Sequence, residues 1–212
     1  LDIKENEILG LIGPNGAGKS TVLKAVCGLI QTWKGELIFK DRNINGNEPP
    51  ENLKLGMSFC PQGNRVFDEL SVIENLEIGG YILKKNFAKL RIDEVLKIFP
   101  VLKERLKQNA GSLSGGEQQM LAVARAIIPN PKLLLLDEPS LGLAPNILKD
   151  LFEKIKELNE KLGITILIVE QKVNEVLKIS HRTYSLKLGK VFYEGNSSEL
   201  AGDKNKLKEL FL

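Results

Sequence analysis

The chain is poor in the residues that bind metals and cross-link folds. It has one histidine and two cysteines in 212 residues. His181 cannot assemble a metal site alone, and no Cys/His cluster exists. Cys27 and Cys60 lie in apolar or strand-like surroundings and read as buried, reduced thiols rather than a disulfide framework. Long hydrophobic runs are also missing. The longest, residues 164–169, is interrupted by Thr165 and falls far short of the roughly 20 residues that span a bilayer. No signal-peptide pattern is visible. Thirty basic and 27 acidic residues leave a net charge of +3 with no basic block, so nucleic acid is not implied as a partner. What remains is ordinary globular composition, 42% apolar and 27% charged, and enough length for one large domain with a subdomain. The chain opens at Leu1 without methionine and reads as N-terminally incomplete.

Periodicity predicts alternating buried strands and helices. Residues 8–12, 55–60, 133–136 and 164–169 are short apolar runs expected to be strands. Residues 35–39 read as a strand in a hairpin turned at 41–46, and 182–194 as a second hairpin around Gly189. Val22, Leu23 and Val26 have helical spacing that ends near Gly28. A long helix carries Ile147, Leu148, Leu151, Phe152, Ile155, Leu158 and Leu162 on one face and stops at Gly163. Between residues 69 and 118 the texture is helical. Ser71-x-x-Glu74 and Ser114-x-x-Glu117 are capping boxes, and helical periodicity recurs over 87–99 and 101–106 around Pro100. This block is expected to be a helical subdomain. Residues 207–212 read as a short docked helix. Continuous apolar strands alternating with helices predict an α/β fold, mainly a parallel sheet covered by helices on both faces.

Two motifs carry the chemistry. Gly13-Pro14-Asn15-Gly16-Ala17-Gly18-Lys19-Ser20-Thr21 is a complete phosphate-binding loop between a strand and a helix, so the fold is expected to be of the P-loop NTPase type. Its glycines let backbone N–H groups curl towards phosphates. Lys19 supplies a full charge, and Ser20 is the expected Mg²⁺ ligand. Four leucines then deliver Asp137 and Glu138 at a strand end. Asp137 is expected to hold Mg²⁺, directly or through water, and Glu138 to act as general base on the attacking water. Ser114-Gly115-Gly116-Glu117 opens a helix whose free N–H groups suit an anion.

With these residues, over essentially its whole length, the chain resembles the ATP-binding subunit of an ATP-binding-cassette (ABC) transporter. The phosphate loop, Gln62 after Pro61, Leu113-Ser114-Gly115-Gly116-Glu117 and Asp137-Glu138-Pro139-Ser140 fall in the family's order. The resemblance implies a head-to-tail pair of cassettes, as homodimer or heterodimer. ATP on one phosphate loop is then covered by Ser114, Gly115, Gly116 and Glu117 of the other. It implies that Gln62 reaches Mg²⁺ and the water, and that the helical subdomain holds a cytoplasmic helix of membrane permease subunits. It places the chain in the cytoplasm, peripheral on the inner face of the cell membrane. Pro61-Gln62-Gly63-Asn64-Arg65-Val66-Phe67, Gly116-Glu117-Gln118-Gln119-Met120-Leu121-Ala122, Pro139-Ser140-Leu141-Gly142-Leu143-Ala144-Pro145 and Val169-Glu170-Gln171 look like importers of branched-chain amino acids. Urea or amide importers share this wording. Of the two cassettes such systems pair, the chain looks more like the "F" type.

Three departures matter. Ala144 stands where the family usually has an aspartate facing the partner site. Gln171 replaces the switch histidine; it can hydrogen-bond a γ-phosphate but carries no charge, so hydrolysis is expected to be weaker here than at a partner's site. His181 lies ten residues too late to substitute and reads as an ordinary surface or hinge residue. No aromatic residue precedes Trp33, so the resemblance assigns the adenine-stacking residue to a stretch upstream of Leu1. Residues 66–83 are expected mostly to pack inside the subdomain, with a few lining the permease groove. Two alternatives stay open: a soluble ABC-type ATPase, as in cofactor-cluster assembly, and a weakly hydrolysing nucleotide switch. The short span from Lys19 to Ser114 leaves no room for the coiled coil of DNA-repair members, and the single cassette argues against ribosome-linked ones.

Overall fold

The computed structural model describes residues 1–210, apart from the Lys204 side chain. Its elements are β1 (Ile8–Ile12), α1 (Lys19–Val26), β2 (Ile38–Phe39), β3 (Arg42–Asn43), α2 (Pro49–Leu55), β4 (Met57–Cys60), α3 (Val72–Gly79), α4 (Lys85–Ile98) and α5 (Pro100–Lys103). A 3₁₀ turn (Ala110–Ser112) leads into α6 (Gly115–Ile127), β5 (Leu133–Asp137), α7 (Pro145–Leu162), β6 (Thr165–Val169), α8 (Val173–Ile179), β7 (Arg182–Lys187), β8 (Lys190–Asn196), α9 (Ser197–Gly202) and α10 (Lys204–Glu209). The main sheet has the order β4-β5-β6-β1-β7-β8, parallel except for the last antiparallel pair.

Period-2 alternation splits the apolar strands between two cores. Ile8, Ile12, Leu134, Leu136, Ile166 and Ile168 face one side, packed with residues of α3 to α7. Leu9, Leu11, Leu133, Leu135, Leu167 and Val169 face the other, against Leu23 of α1 and Ile44. Helix α7 starts with Pro145 at its first turn and stops at Gly163, and buries Leu148, Leu151, Phe152, Ile155 and Leu158. Each such side chain contributes roughly 1.5–3 kcal/mol on burial. Leu151→Ala would lose about 2–5 kcal/mol by opening a cavity.

Register brings the functional ends together. Cys60 pairs with Leu136, Asp137 with Val169, and Leu11 with Val169. The carboxyl ends of β4, β5, β6 and β1 therefore share one edge, where ligands of parallel α/β sheets bind.

Between β4 and β5 the chain is built of α3 to α6. Both capping boxes form, Ser71 with Glu74 and Ser114 with Glu117. Backbone bonds from Val72 to Gln108 and from Ala110 to Leu70 bring the two ends of the α3–α5 block together.

Local differences from the sequence expectations have identifiable causes. The run 55–60 is not all strand. Pro49 at the helix start and a Glu48–Glu51 capping box make 49–55 a helix, and the strand begins after Gly56. The first hairpin is only two residues deep and turns at Lys40–Asp41, both at positive φ, not at 41–46. Helix α8 escaped periodicity because it is only seven residues long. Leu210 is buried at the end of α10; residues 211 and 212 of the expected terminal helix lie outside the described part. Both cysteines are free and buried, and burial pushes the Cys60 thiol up to about 12. Trp33 is 96% exposed.

Candidate active site

The phosphate loop leaves β1 at Ile12 and turns into α1. Gly13 holds a φ of 142°, and a side chain there would collide with the Leu186 backbone. Glycine is required by both constraints. Lys19 is buried, and its Nζ donates to the carbonyls of Gly13 and Pro14 at 2.8 and 3.0 Å. Burial holds its pKa below the ordinary lysine value, against the opposing pull of Glu138 and Asp137.

Ser20 Oγ donates to Asp137 Oδ1 at 2.8 Å. Burial pushes the Asp137 carboxyl up, opposed by this hydrogen bond, while neighbouring Glu138 adds to the rise. A hydroxyl and a carboxylate in contact beside a phosphate loop are hard oxygen donors of the kind Mg²⁺ takes, with phosphate and water completing its shell. Among the described residues no cluster of three or more His, Cys, Asp or Glu could hold a metal by itself.

Glu138 is the centre of the polar contacts. Gln62 Nε2 donates to its Oε2 at 2.9 Å, and Gln171 Nε2 lies 2.8 and 2.9 Å from its two oxygens. These amides come from the loops after β4 and β6, so three strand ends converge on one carboxylate. Glu138 has a φ of 47°, left-handed for a residue with a side chain; such strain persists where surroundings over-determine it and clusters at functional sites. Asn15, Gly16, Gly18, Lys19, Ser20, Thr21, Gln62, Glu138 and Gln171 line one cavity of about 380 Å³.

Ser114, Gly115, Gly116 and Glu117 do not line it. Ser114 and Gly115 are exposed at the start of α6. Ser114 Oγ and N both donate to Glu117, which also pairs with Arg105 at 2.7 Å. The two glycines differ. A side chain on Gly116 would strike Ile147, whereas one on Gly115 would meet only Asn64 Nδ2, at 3.5 Å. That same Asn64 Nδ2 donates to the Gly115 carbonyl at 3.0 Å.

His181 is exposed at the opposite end of β1, where its Nδ1 accepts from the Ile8 amide at 3.0 Å. It takes no part in the site. Sequence reasoning did not single out Glu170 by itself. It is 2% exposed, and its carboxylate accepts from the amides of Ser140, Gln171 and Lys172. Burial pushes this carboxyl up, against the Ser140 hydroxyl and those amides, which pull it down. The available signal was an acid directly after a strand that is apolar but for Thr165, much the pattern that marked Asp137.

The ABC transporter family profile matches residues 1–141. The chain belongs to the ABC transporter family. A high-affinity branched-chain amino acid transport ATP-binding protein of Pseudomonas aeruginosa (BraG) is 44% identical over 94% of this chain and 85% of its own length. A probable branched-chain amino acid transport ATP-binding protein of Archaeoglobus fulgidus (LivF) is 43% identical over 94% and 84%. A LivG counterpart from Methanocaldococcus jannaschii is 32% identical over 94% and 82%. A nucleotide-free ATP-binding cassette superposes with a TM-score of 0.88 at 28% identity, covering 100% of this chain and 90% of that one. A dimeric cassette with ADP and Pi gives 0.81 at 29% identity, covering 93% and 88%. This ABC cassette is thus a nucleotide-binding ATPase, the ATP-binding subunit of an ABC transporter. None of its described helices is long and apolar enough to cross a membrane.

Proposed function

We propose that this cassette drives an importer of branched-chain amino acids, and that it hydrolyses Mg-ATP in a site completed by a second cassette. The observation that carries the hydrolytic reading is Glu138, held by two side-chain amides at the mouth of the phosphate loop. From there it can accept a proton from a water attacking the γ-phosphate. Lys19, freed from its carbonyl partners, carries charge of the opposite sign to the phosphates; Gly13 to Thr21 supply backbone N–H groups. Ser20 and Asp137, with Gln62 beside them, would hold Mg²⁺, whose role is to neutralise phosphate charge. Gln171 donates to Glu138 and lines the same cavity, where its amide would hydrogen-bond the γ-phosphate.

The composite site rests on Ser114 to Glu117, which stay outside their own chain's cavity on an exposed helix start. That a relative's cassette is dimeric supports the pairing. The residues 69–118 act as a helical subdomain within a single cassette domain. Phe67, Ile78 and Tyr81 are exposed and line a groove of about 420 Å³ with Leu53, Phe59 and Arg125. This groove suits an apolar helix from a permease, which would place the cassette on the inner face of the membrane. The substrate class rests on the BraG and LivF relatives, and the higher identity to LivF than to LivG favours the "F" type.

Light scattering on Glu138→Gln protein with and without Mg-ATP tests the composite site. ATP-dependent dimerisation supports it within one sequence. If the protein stays a monomer alone and also with a G-type cassette added, the composite reading fails.

A further inference from the structure

Ser140 lies two residues beyond Glu138, and both of its backbone polar groups are held by the loop after β6. Its amide donates to Glu170 Oε1 at 2.8 Å, and its carbonyl accepts from Lys172 Nζ at 3.3 Å. The other oxygen of Glu170 accepts from the amides of Gln171 at 3.1 Å and Lys172 at 3.4 Å. The Glu170 amide itself donates to Leu11, one residue short of the end of β1. One buried carboxylate therefore touches the loop that follows Glu138 and the loop that carries Gln171. Its own backbone is pinned to the strand that feeds the phosphate loop.

We infer that Glu170 is a positioning residue for hydrolysis, clamping Ser140 and Gln171 so that Glu138 keeps its left-handed backbone and its amide partners. Two features require such a clamp. Glu138 sits at a φ of 47°, which costs on the order of 1–3 kcal/mol and must be imposed from outside. Gln171 is exposed and long, with several free torsions, yet its Nε2 meets both oxygens of Glu138. A fixed backbone at Gln171 removes part of that freedom. The same clamp ties the Gln171 side of the site to residues 139–144, which lead into Pro145 of α7. The inference rests on the reading of Glu138 as the base.

The test compares Glu170→Gln, Glu170→Asp and Glu138→Gln in steady-state hydrolysis of Mg-ATP, with ATP affinity and melting curves measured on the same samples. A displaced catalytic group costs about 10–100-fold in turnover. Glu170→Gln is expected to lower kcat by that factor with KM changed less than about twofold, the pattern of an interaction that acts in the transition state. Glu170→Asp keeps the charge and is expected to fall between the two. Unchanged kcat in Glu170→Gln, or a loss that only follows the folded fraction, overturns the positioning role. Normal turnover in Glu138→Gln instead sinks the base reading. Hydrogen exchange on the unmodified chain needs no variant: the Ser140 and Gln171 amides are expected to exchange slowly, and exchange at the rate of open loop amides would refute the clamp.

Discussion

Gln171 donates its side-chain amide towards both carboxylate oxygens of Glu138, at 2.8 and 2.9 Å. A neutral amide thus bonds this carboxylate at the position where the family resemblance expects a histidine, and it carries no charge that changes near neutral pH. Glu138→Gln should therefore slow turnover by about 10²–10⁴-fold while ATP still binds. Gln171→His should add an inflection near the imidazole pKa of about 6.5 to the pH–rate profile. Steady-state assays from pH 5.5 to 8.5 check both, and an unaltered profile in Gln171→His would show that position 171 does not act on Glu138 during turnover.

The two signature glycines predict opposite outcomes. Gly116→Ala forces a methyl group into Ile147 and should lower the melting temperature. Gly115→Ala meets almost nothing in its own chain, so its melting curve should be unchanged while ATP-driven dimerisation weakens. Calorimetry and light scattering on the pair separate packing from recognition. A stable Gly115→Ala protein that dimerises normally would remove Gly115 from the composite site.

Lys19 lines the phosphate-loop cavity, and its charge is the one proposed to meet the phosphates. A charge about 4 Å from a phosphate oxygen is worth roughly 4 kcal/mol at an effective dielectric near 20. Lys19→Met should weaken ATP binding by about 10²–10³-fold. Titration calorimetry measures this directly, and retained affinity would mean that the loop backbone alone holds the nucleotide.

At the far end of the sheet Arg182 bonds Glu7 at 2.7 Å, Asp2 at 2.9 Å and Glu194 at 2.8 Å. Burial raises the Glu7 carboxyl, but Arg182 and the Lys4 amide outweigh it and hold the pKa below the ordinary value. A depressed carboxylate contributes stability that is present above its unfolded pKa, near 4.5, and lost as pH falls through the folded one. Thermal melts should thus fall as pH drops below about 4.5. Arg182→Ala strands Glu7, 6% exposed, without its partner and should cost about 3–5 kcal/mol near neutral pH. A loss under about 1 kcal/mol would show that the pair is worth no more than a surface contact.

Much of this was legible in the sequence. The parallel strands β1, β5 and β6 announced themselves as apolar runs, and the caps at Ser71 and Ser114 form as their spacing implies. The phosphate loop and Asp137-Glu138 come together because each ends a strand, and strand ends are visible in a sequence. What periodicity could not show was contact between loops. That Gln62 and Gln171 meet on Glu138 follows from the order of β4, β5 and β6, which depends on long-range pairing. Glu170 was harder still. A buried carboxylate looks like any other acid until the amides it serves, 30 residues away at Ser140, are placed beside it. Short elements such as α8 also fail to register, because seven residues hold barely two turns of helical period.

The single indole of the chain stands almost wholly in water, on the segment between α1 and β2. Unfolding barely alters its surroundings, so tryptophan emission is blind to the collapse of either core, and circular dichroism must follow the melt instead. The same isolation makes Trp33 a quiet reporter on one patch of surface. Emission that shifts to the blue when another subunit is added can come from no other tryptophan of this chain, and it marks the moment that patch is covered.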